Sequence, residues 1–194
     1  TAVIAHVVRC FDNPDIQHVR EDAKTDASID PESDILTIDF ELAQADLDTI
    51  NKHAEKVTKQ IRALGKDEEK RLAPYFSAVE KIKPLLEDGK CARMAELTDE
   101  EKAAVYELHL LTIKPQVYVC NIDEDTIESG TNKYVETVKK FAAEQKSEVI
   151  VICGKFESDL SDITDENDRK EFMDSVGLKE SGLTVLARTV YHLM

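Results

Sequence analysis

Gln116-Val117-Tyr118-Val119-Cys120-Asn121-Ile122-Asp123-Glu124 decides how this 194-residue chain is read. A short β-branched run breaks abruptly into a polar turn, the pattern of a strand buried in a parallel sheet. Two more segments share it. Val3-Ile4-Ala5-His6-Val7-Val8-Arg9-Cys10 runs into Phe11-Asp12-Asn13-Pro14, and Glu148-Val149-Ile150-Val151-Ile152-Cys153 runs into Gly154-Lys155. Between the second and third strands Tyr134, Val138 and Phe141 fall at helical spacing within 131–145, and further helices are expected over 165–176 and 181–192. Strand, helix, strand over such a distance calls for a right-handed parallel crossover, so the predicted class is α/β.

The interval between the first two strands has a different period. Ala43, Leu47, Ile50, Ala54, Val57, Ile61 and Leu64 alternate in steps of four and three, a heptad seam interrupted at Gly65-Lys66-Asp67. Leu72, Tyr75, Val79, Ile82 and Leu86 form a second seam that ends before Gly89. Two seams joined by a short turn predict an antiparallel coiled-coil hairpin, with Pro84 kinking or weakening the last turn of its second helix. Thr98-Asp99-Glu100-Glu101 has the form of a capping box opening a third helix through Leu108, Leu111 and Thr112, closed by Pro115. The expected organisation is a partial α/β domain in two parts, 1–30 and 113–194, with a helical insertion over 31–112.

Composition narrows the function. Forty acidic residues against twenty-five basic give a net charge of -15, which disfavours wholesale binding to nucleic acid or anionic lipid. No segment approaches the ~18 uninterrupted apolar residues of a membrane span. Cys10, Cys91, Cys120 and Cys153 are scattered without a close ligand pair, so structural zinc is not expected. Three of them sit in apolar runs, as reduced core thiols of a cytosolic protein do. Asp159, Asp162, Asp165, Glu166 and Asp168 lack the loop glycine and terminal Glu of a calcium loop. Gly177 and Gly182 have phosphate-loop spacing, but Leu183-Thr184 follows them. From Asn51 to Arg71 the charge reverses to a local +3 through Lys52, Lys56, Lys59, Arg62, Lys66, Lys70 and Arg71. That pattern fits an arm touching RNA phosphate, a solvated face supported by pairs such as Glu55 with Lys59, or a protein-binding arm.

In open parallel sheets ligands bind beyond the carboxyl ends of the strands, which puts chemistry at Asp12-Asn13, Asn121 to Glu124, and Cys153-Gly154-Lys155. Asn with an acidic residue three positions on, just after a hydrophobic strand, suits a purine reader. An Asn amide meets the N6/N7 side of the base and also ties neighbouring loops together. A guanine reader sets an Asp carboxylate against the N1–H and N2–H donors, whereas adenine presents an N1 acceptor that repels a carboxylate. Here Ile122 stands where guanine readers carry Lys, and Glu124 where they carry Asp, so a base-reading loop of this kind disfavours guanine. As a lone signal, four such residues more often make a plain polar turn.

The residues resemble those of a known family. Ile4-Ala5-His6-Val7-Val8-Arg9-Cys10-Phe11 with Asp15-Ile16-Gln17-His18-Val19 looks like the strand after switch II in the Obg-like ATPases, the YchF family. Asp34-Ile35 with Glu41-Leu42-Ala43-Gln44-Ala45-Asp46-Leu47 is similar to that family's entry into its coiled coil. Leu110-Leu111-Thr112-Ile113-Lys114-Pro115 and Val119-Cys120-Asn121-Ile122-Asp123-Glu124 resemble its return and its altered base-reading motif. The resemblance implies a P-loop ATPase of the translation-factor class that prefers ATP to GTP, uses Mg²⁺, and works with the ribosome in the cytoplasm in translation and stress responses. It assigns adenine recognition to Asn121, Ile122 and Glu124, with Cys153 and Gly154 in the adjoining loop. It implies neither DNA nor a membrane as partner.

The family's Gly-rich phosphate loop and switch regions have no counterpart in this chain, and Tyr191-His192-Leu193-Met194 falls where a TGS domain would follow. The chain is therefore expected to be an internal piece that alone hydrolyses no ATP; its exposed sheet edge is either completed by segments supplied from another chain or cleaved piece, or leaves the fragment marginally folded and self-associating. The rival reading is a non-enzymatic protein- or RNA-interaction module working through the hairpin.

Overall fold

The computed structural model describes residues 2–12, 29–64 and 66–194. Asn13-Pro14, the Asp15 to Val19 stretch and Gly65 lie outside the described residues. The chain forms two compact units, residues 1–35 with 116–194, and residues 36–115.

The first unit is built on a three-stranded parallel sheet of β1 (Ile4–Arg9), β2 (Gln116–Asn121) and β3 (Glu148–Ile152), in the order β1-β2-β3. Ile4 aligns with Gln116, and Val117 with Glu148. β2 is central, and its Val117 to Cys120 run is apolar because both of its faces are covered. Tyr118 and Cys120 pack with α5 (Lys133–Glu144) and α6 (Gly154–Asp162), while Val117 and Val119 pack against α8 (Gly182–Leu193). Such a strand reads as a continuous apolar run rather than an alternating one. α7 (Glu166–Ser175) adds Phe172, stacked on Phe156 at 4.8 Å between ring centroids. Among the described residues β1 is an edge strand, and its Val7 is 62% exposed.

Gly154 and Lys155, expected in the loop after the third strand, open α6. The missed signal was Phe156 and Leu160, four apart and both buried, which give this short helix its apolar face.

The second unit is a helical hairpin with a short third helix. α1 (Pro31–Leu64) starts with Pro at its first position, and Asp30 Oδ1 accepts from Ser33 N–H at 3.2 Å. α2 (Lys66–Arg71) and α3 (Ala73–Glu87) return along it. Antiparallel register follows from three contacts: Gln60 with Glu68 (2.6 Å), His53 with Tyr75 (5.0 Å between rings), and Phe40 over Gly89. Numbers rise on one arm as they fall on the other. Ala43, Ile50 and Val57 meet Tyr75, Ile82 and Leu86 in one core. Gly89 has φ +73°, and a Cβ there would lie 2.9 Å from Phe40 Cδ2, so glycine is required for this turn. α3 continues past Pro84 to Glu87.

α4 (Asp99–Val105) carries the expected capping box, with Thr98 Oγ1 accepting from Glu101 N–H and Glu101 accepting from Thr98 N–H. It does not reach Thr112. A 3₁₀ turn at Tyr106–Leu108 ends at His109, whose φ is +51°, and the chain then leaves helical geometry. The backbone that a longer helix would have satisfied internally bonds instead to buried Asp46, which accepts from Leu111 and Thr112. No helix among the described residues is long and apolar enough to cross a membrane.

Candidate nucleotide-base site

The carboxyl ends of the three strands are tied to one another by polar contacts. Parallel pairing brings Asn121 beside Ile152, so the chain leaving β2 and the chain leaving β3 start side by side. Asn121 Oδ1 accepts from Gly154 N–H at 2.9 Å, fastening the end of β2 to the first residue of α6. The backbone continues the link, with Cys10 N–H donating to Asn121 O at 2.8 Å and Ile122 N–H to Ile152 O at 2.9 Å. One turn further, the Lys155 ammonium bonds the Glu124 carboxylate. Both side chains are exposed, and the contact holds the Lys155 pKa above its ordinary value.

The five sequence-selected residues thus gather at one end of the sheet, with unequal capacity to meet a ligand. With Oδ1 engaged, Asn121 keeps its Nδ2 donors, which make no hydrogen bond among the described residues. Glu124 is exposed. Ile122 is 4% exposed and Cys153 is 6% exposed, both in the core beneath the loops. They also line a cavity of about 130 Å³ with Phe156, Glu157 and Gly182. Gly154 offers only backbone, and its N–H is already used. Asp123 shapes the turn by accepting from the Thr126 amide (3.1 Å) and hydroxyl.

Sequence reasoning missed two residues that brace this end. Asn132 caps α5, its Oδ1 accepting from Tyr134 and Val135 N–H at 3.0 Å, while its Nδ2 donates to Cys10 O at 2.7 Å. Tyr134 Oη donates to Asp12 Oδ1 at 2.6 Å. An Asn immediately before an amphipathic run was the available signal for the cap. Its reach to Cys10, 122 positions away, has no local signature. Among the described residues no group of three His, Cys, Asp or Glu side chains is placed to hold a metal ion.

A three-stranded parallel sheet with helices on both faces, and residues 121–124 and 153–155 gathered at its carboxyl edge, is an open α/β fold of the kind in which ligands bind beyond the strand ends. The comparisons with known proteins specify the relationship further. The ribosome-binding ATPase YchF of Escherichia coli O157:H7 is 39% identical over 194 residues, all of this chain and 50% of that protein. Its namesake in Bacillus subtilis is 37% identical over 192 residues, 98% of this chain and 50% of that protein. The solved structure of the Schizosaccharomyces pombe YchF GTPase superimposes with a TM-score of 0.77 at 26% identity, covering 99% of this chain and 50% of that one. No family model matches. The chain belongs to the YchF family, and it spans about half the length of the curated relatives it matches.

Proposed function

We propose that this chain is the base-reading and arm-bearing part of an ATPase that acts at the ribosome in the cytoplasm, in translation and stress regulation. The observation that carries the base-reading role is the double clip at the sheet edge, Asn121 to Gly154 and Glu124 to Lys155, which supports treating the two loops as one purine-facing surface. In this reading Asn121 Nδ2 donates to N7 of adenine. Glu124 occupies the position from which guanine would be read, without the geometry to read it. Ile122 and Cys153 form the apolar floor, and Gly154 fixes the distance between the loops. Refusing guanine requires only that one or two of its polar groups stay unpaired, each costing about 1–3 kcal/mol.

Residues 1–30 and 113–194 serve as parts of the nucleotide-binding domain, and 31–112 as a coiled-coil arm that transmits the nucleotide state. The arm's exposed Lys52, Lys56, Lys59 and Arg62 follow one face of α1, with Glu55 among them, and favour contact with ribosomal RNA or protein. Hydrolysis requires a phosphate loop this sequence does not contain, so the chain by itself turns over no ATP. Mg²⁺ enters with the nucleotide, and no described cluster fits it. Among the described residues β1 pairs with a strand on one side only, which suits pairing with a further strand, including that of a second copy.

Calorimetric titration of the full-length polypeptide with ATP and GTP, repeated on the Ile122→Lys, Glu124→Asp double variant, tests the reading. A preference for ATP that weakens or reverses in the variant is expected. An unchanged preference removes these residues from base selection.

A further inference from the structure

We infer that Lys155 is a specificity-determining residue, because it holds the Glu124 carboxylate off the base and thereby keeps guanine out. This inference rests on the base-reading role proposed for residues 121–124.

Guanine recognition needs a carboxylate with both oxygens available, one for N1–H and one for the exocyclic N2–H. Glu124 is the carboxylate placed to provide them, and its Oε2 is bonded to the Lys155 ammonium. A guanine arriving at this loop meets at most one unengaged oxygen, and it must displace an ammonium to gain the second. Adenine is affected in the opposite sense. Its N1 is an acceptor, and a free carboxylate beside it is repulsive, so neutralising Glu124 with Lys155 removes a penalty against adenine. One ion pair therefore lowers guanine affinity and protects adenine affinity together.

The fold makes the contact possible. Asn121 and Gly154 are locked at 2.9 Å, so the residue after Gly154, on the first turn of α6, projects toward the turn that follows Asn121. Glu124 lies at the start of a 3₁₀ turn whose position is fixed by Asp123 capping Thr126 at 3.1 Å. Two locally anchored segments bring opposite charges together across 31 positions of sequence. Glu is one methylene longer than the Asp of a guanine reader, which gives it the reach to turn to Lys155. The glutamate and the lysine are thus one device.

Side-chain exposures of 68% for Lys155 and 49% for Glu124 set the scale. A solvent-exposed pair of this kind changes an equilibrium by roughly 1.4- to 5-fold, and less at high salt.

The test is made on the full-length polypeptide with Mg·ATP and Mg·GTP, reading the ratio of the two dissociation constants for the parent, Lys155→Met, Glu124→Gln and the double variant. Methionine keeps the apolar stem without the charge, and loss of folded protein reduces both affinities alike, leaving the ratio unmoved. Lys155→Met is expected to cut the preference for ATP by roughly 1.4- to 5-fold in the parent, and to leave it unchanged where Glu124 is already Gln. An unaltered ratio in Lys155→Met, or an equal shift in the Glu124→Gln background, overturns the inference while leaving base selection by the loop intact. A parent that binds ATP and GTP equally overturns base selection, and this inference with it.

Discussion

Asp46→Ala is expected to destabilise the helical unit by about 3–5 kcal/mol. Asp46 lies on α1, 2% exposed, and its carboxylate accepts from Leu111 N–H, Thr112 N–H and the Thr112 hydroxyl, each at 2.7 Å. These bonds join residues 65 and 66 positions apart, so they hold the chain returning from α4 against the long helix. Truncation leaves two amides and a hydroxyl without their acceptor, and each buried donor so stranded costs about 1–3 kcal/mol. The three share one side chain and Leu111 is only half-buried, so the costs do not add fully. The remainder is still a large part of the roughly 5–15 kcal/mol that stabilises a typical domain. Thr112→Val removes one donor, and also the hydroxyl that accepts from Ala92 N–H at 3.0 Å. Its cost should be about 1–2 kcal/mol, and the double variant should lose less than the sum. Urea denaturation followed by far-UV circular dichroism measures these losses, and hydrogen exchange reports the Leu111 and Thr112 amides directly. A loss under about 1 kcal/mol with both amides still protected refutes the reasoning.

Gly182→Ala places a Cβ 2.4 Å from Ile152 Cγ2 and 3.0 Å from Glu157 Oε1, so α8 must lift from the sheet. A loss of about 1–3 kcal/mol is expected in thermal or urea unfolding, and an unchanged midpoint contradicts the packing described. Glu101 is held at a pKa of about 2, from an ordinary 4.5, by bonds from Lys81, Ser77 and the Thr98 amide. A depressed folded-state pKa stabilises above the unfolded value. This contribution is therefore complete above about pH 5 and fades as pH falls from 4.5 toward 2. Glu101→Gln should flatten that part of the stability-versus-pH curve, and an identical curve rules the assignment out. The four cysteines are buried, with Cys91 pushed up to about 11 by burial, and Cys10 raised by its hydrogen bond with Cys120 and by burial. Ellman's reagent should react slowly with the native protein and fully after denaturation, whereas fast native labelling of any thiol contradicts this burial.

The strands were legible in the sequence because burial on both faces leaves an uninterrupted apolar run, as in Val117 to Cys120. Helical seams were legible for the complementary reason, since Ala43, Ile50 and Val57 recur at the period of one buried stripe. Thr98 and Glu101 announced a helix start because both halves of a capping box lie within four residues. Less legible were features decided by distant partners. The end of α4 is set by Asp46, and apolar Leu108, Leu110 and Leu111 continue past it without a local stop beyond His109. α6 was hidden by its polar sequence, whose only apolar anchors are Phe156 and Leu160. At the candidate site, the residue types at 121–124 suggested a purine reader, but the attachments of Asn121 to Gly154 and of Glu124 to Lys155 are tertiary contacts. No spacing within the chain encodes them.

The most direct test of the base-reading claim is the amide spectrum of isotopically labelled full-length protein during titration with Mg·ATP. Saturable shifts at Ile122, Glu124, Gly154 and Lys155 are expected, smaller with Mg·GTP at the same concentration. Shifts that saturate elsewhere while these four amides stay fixed contradict the claim.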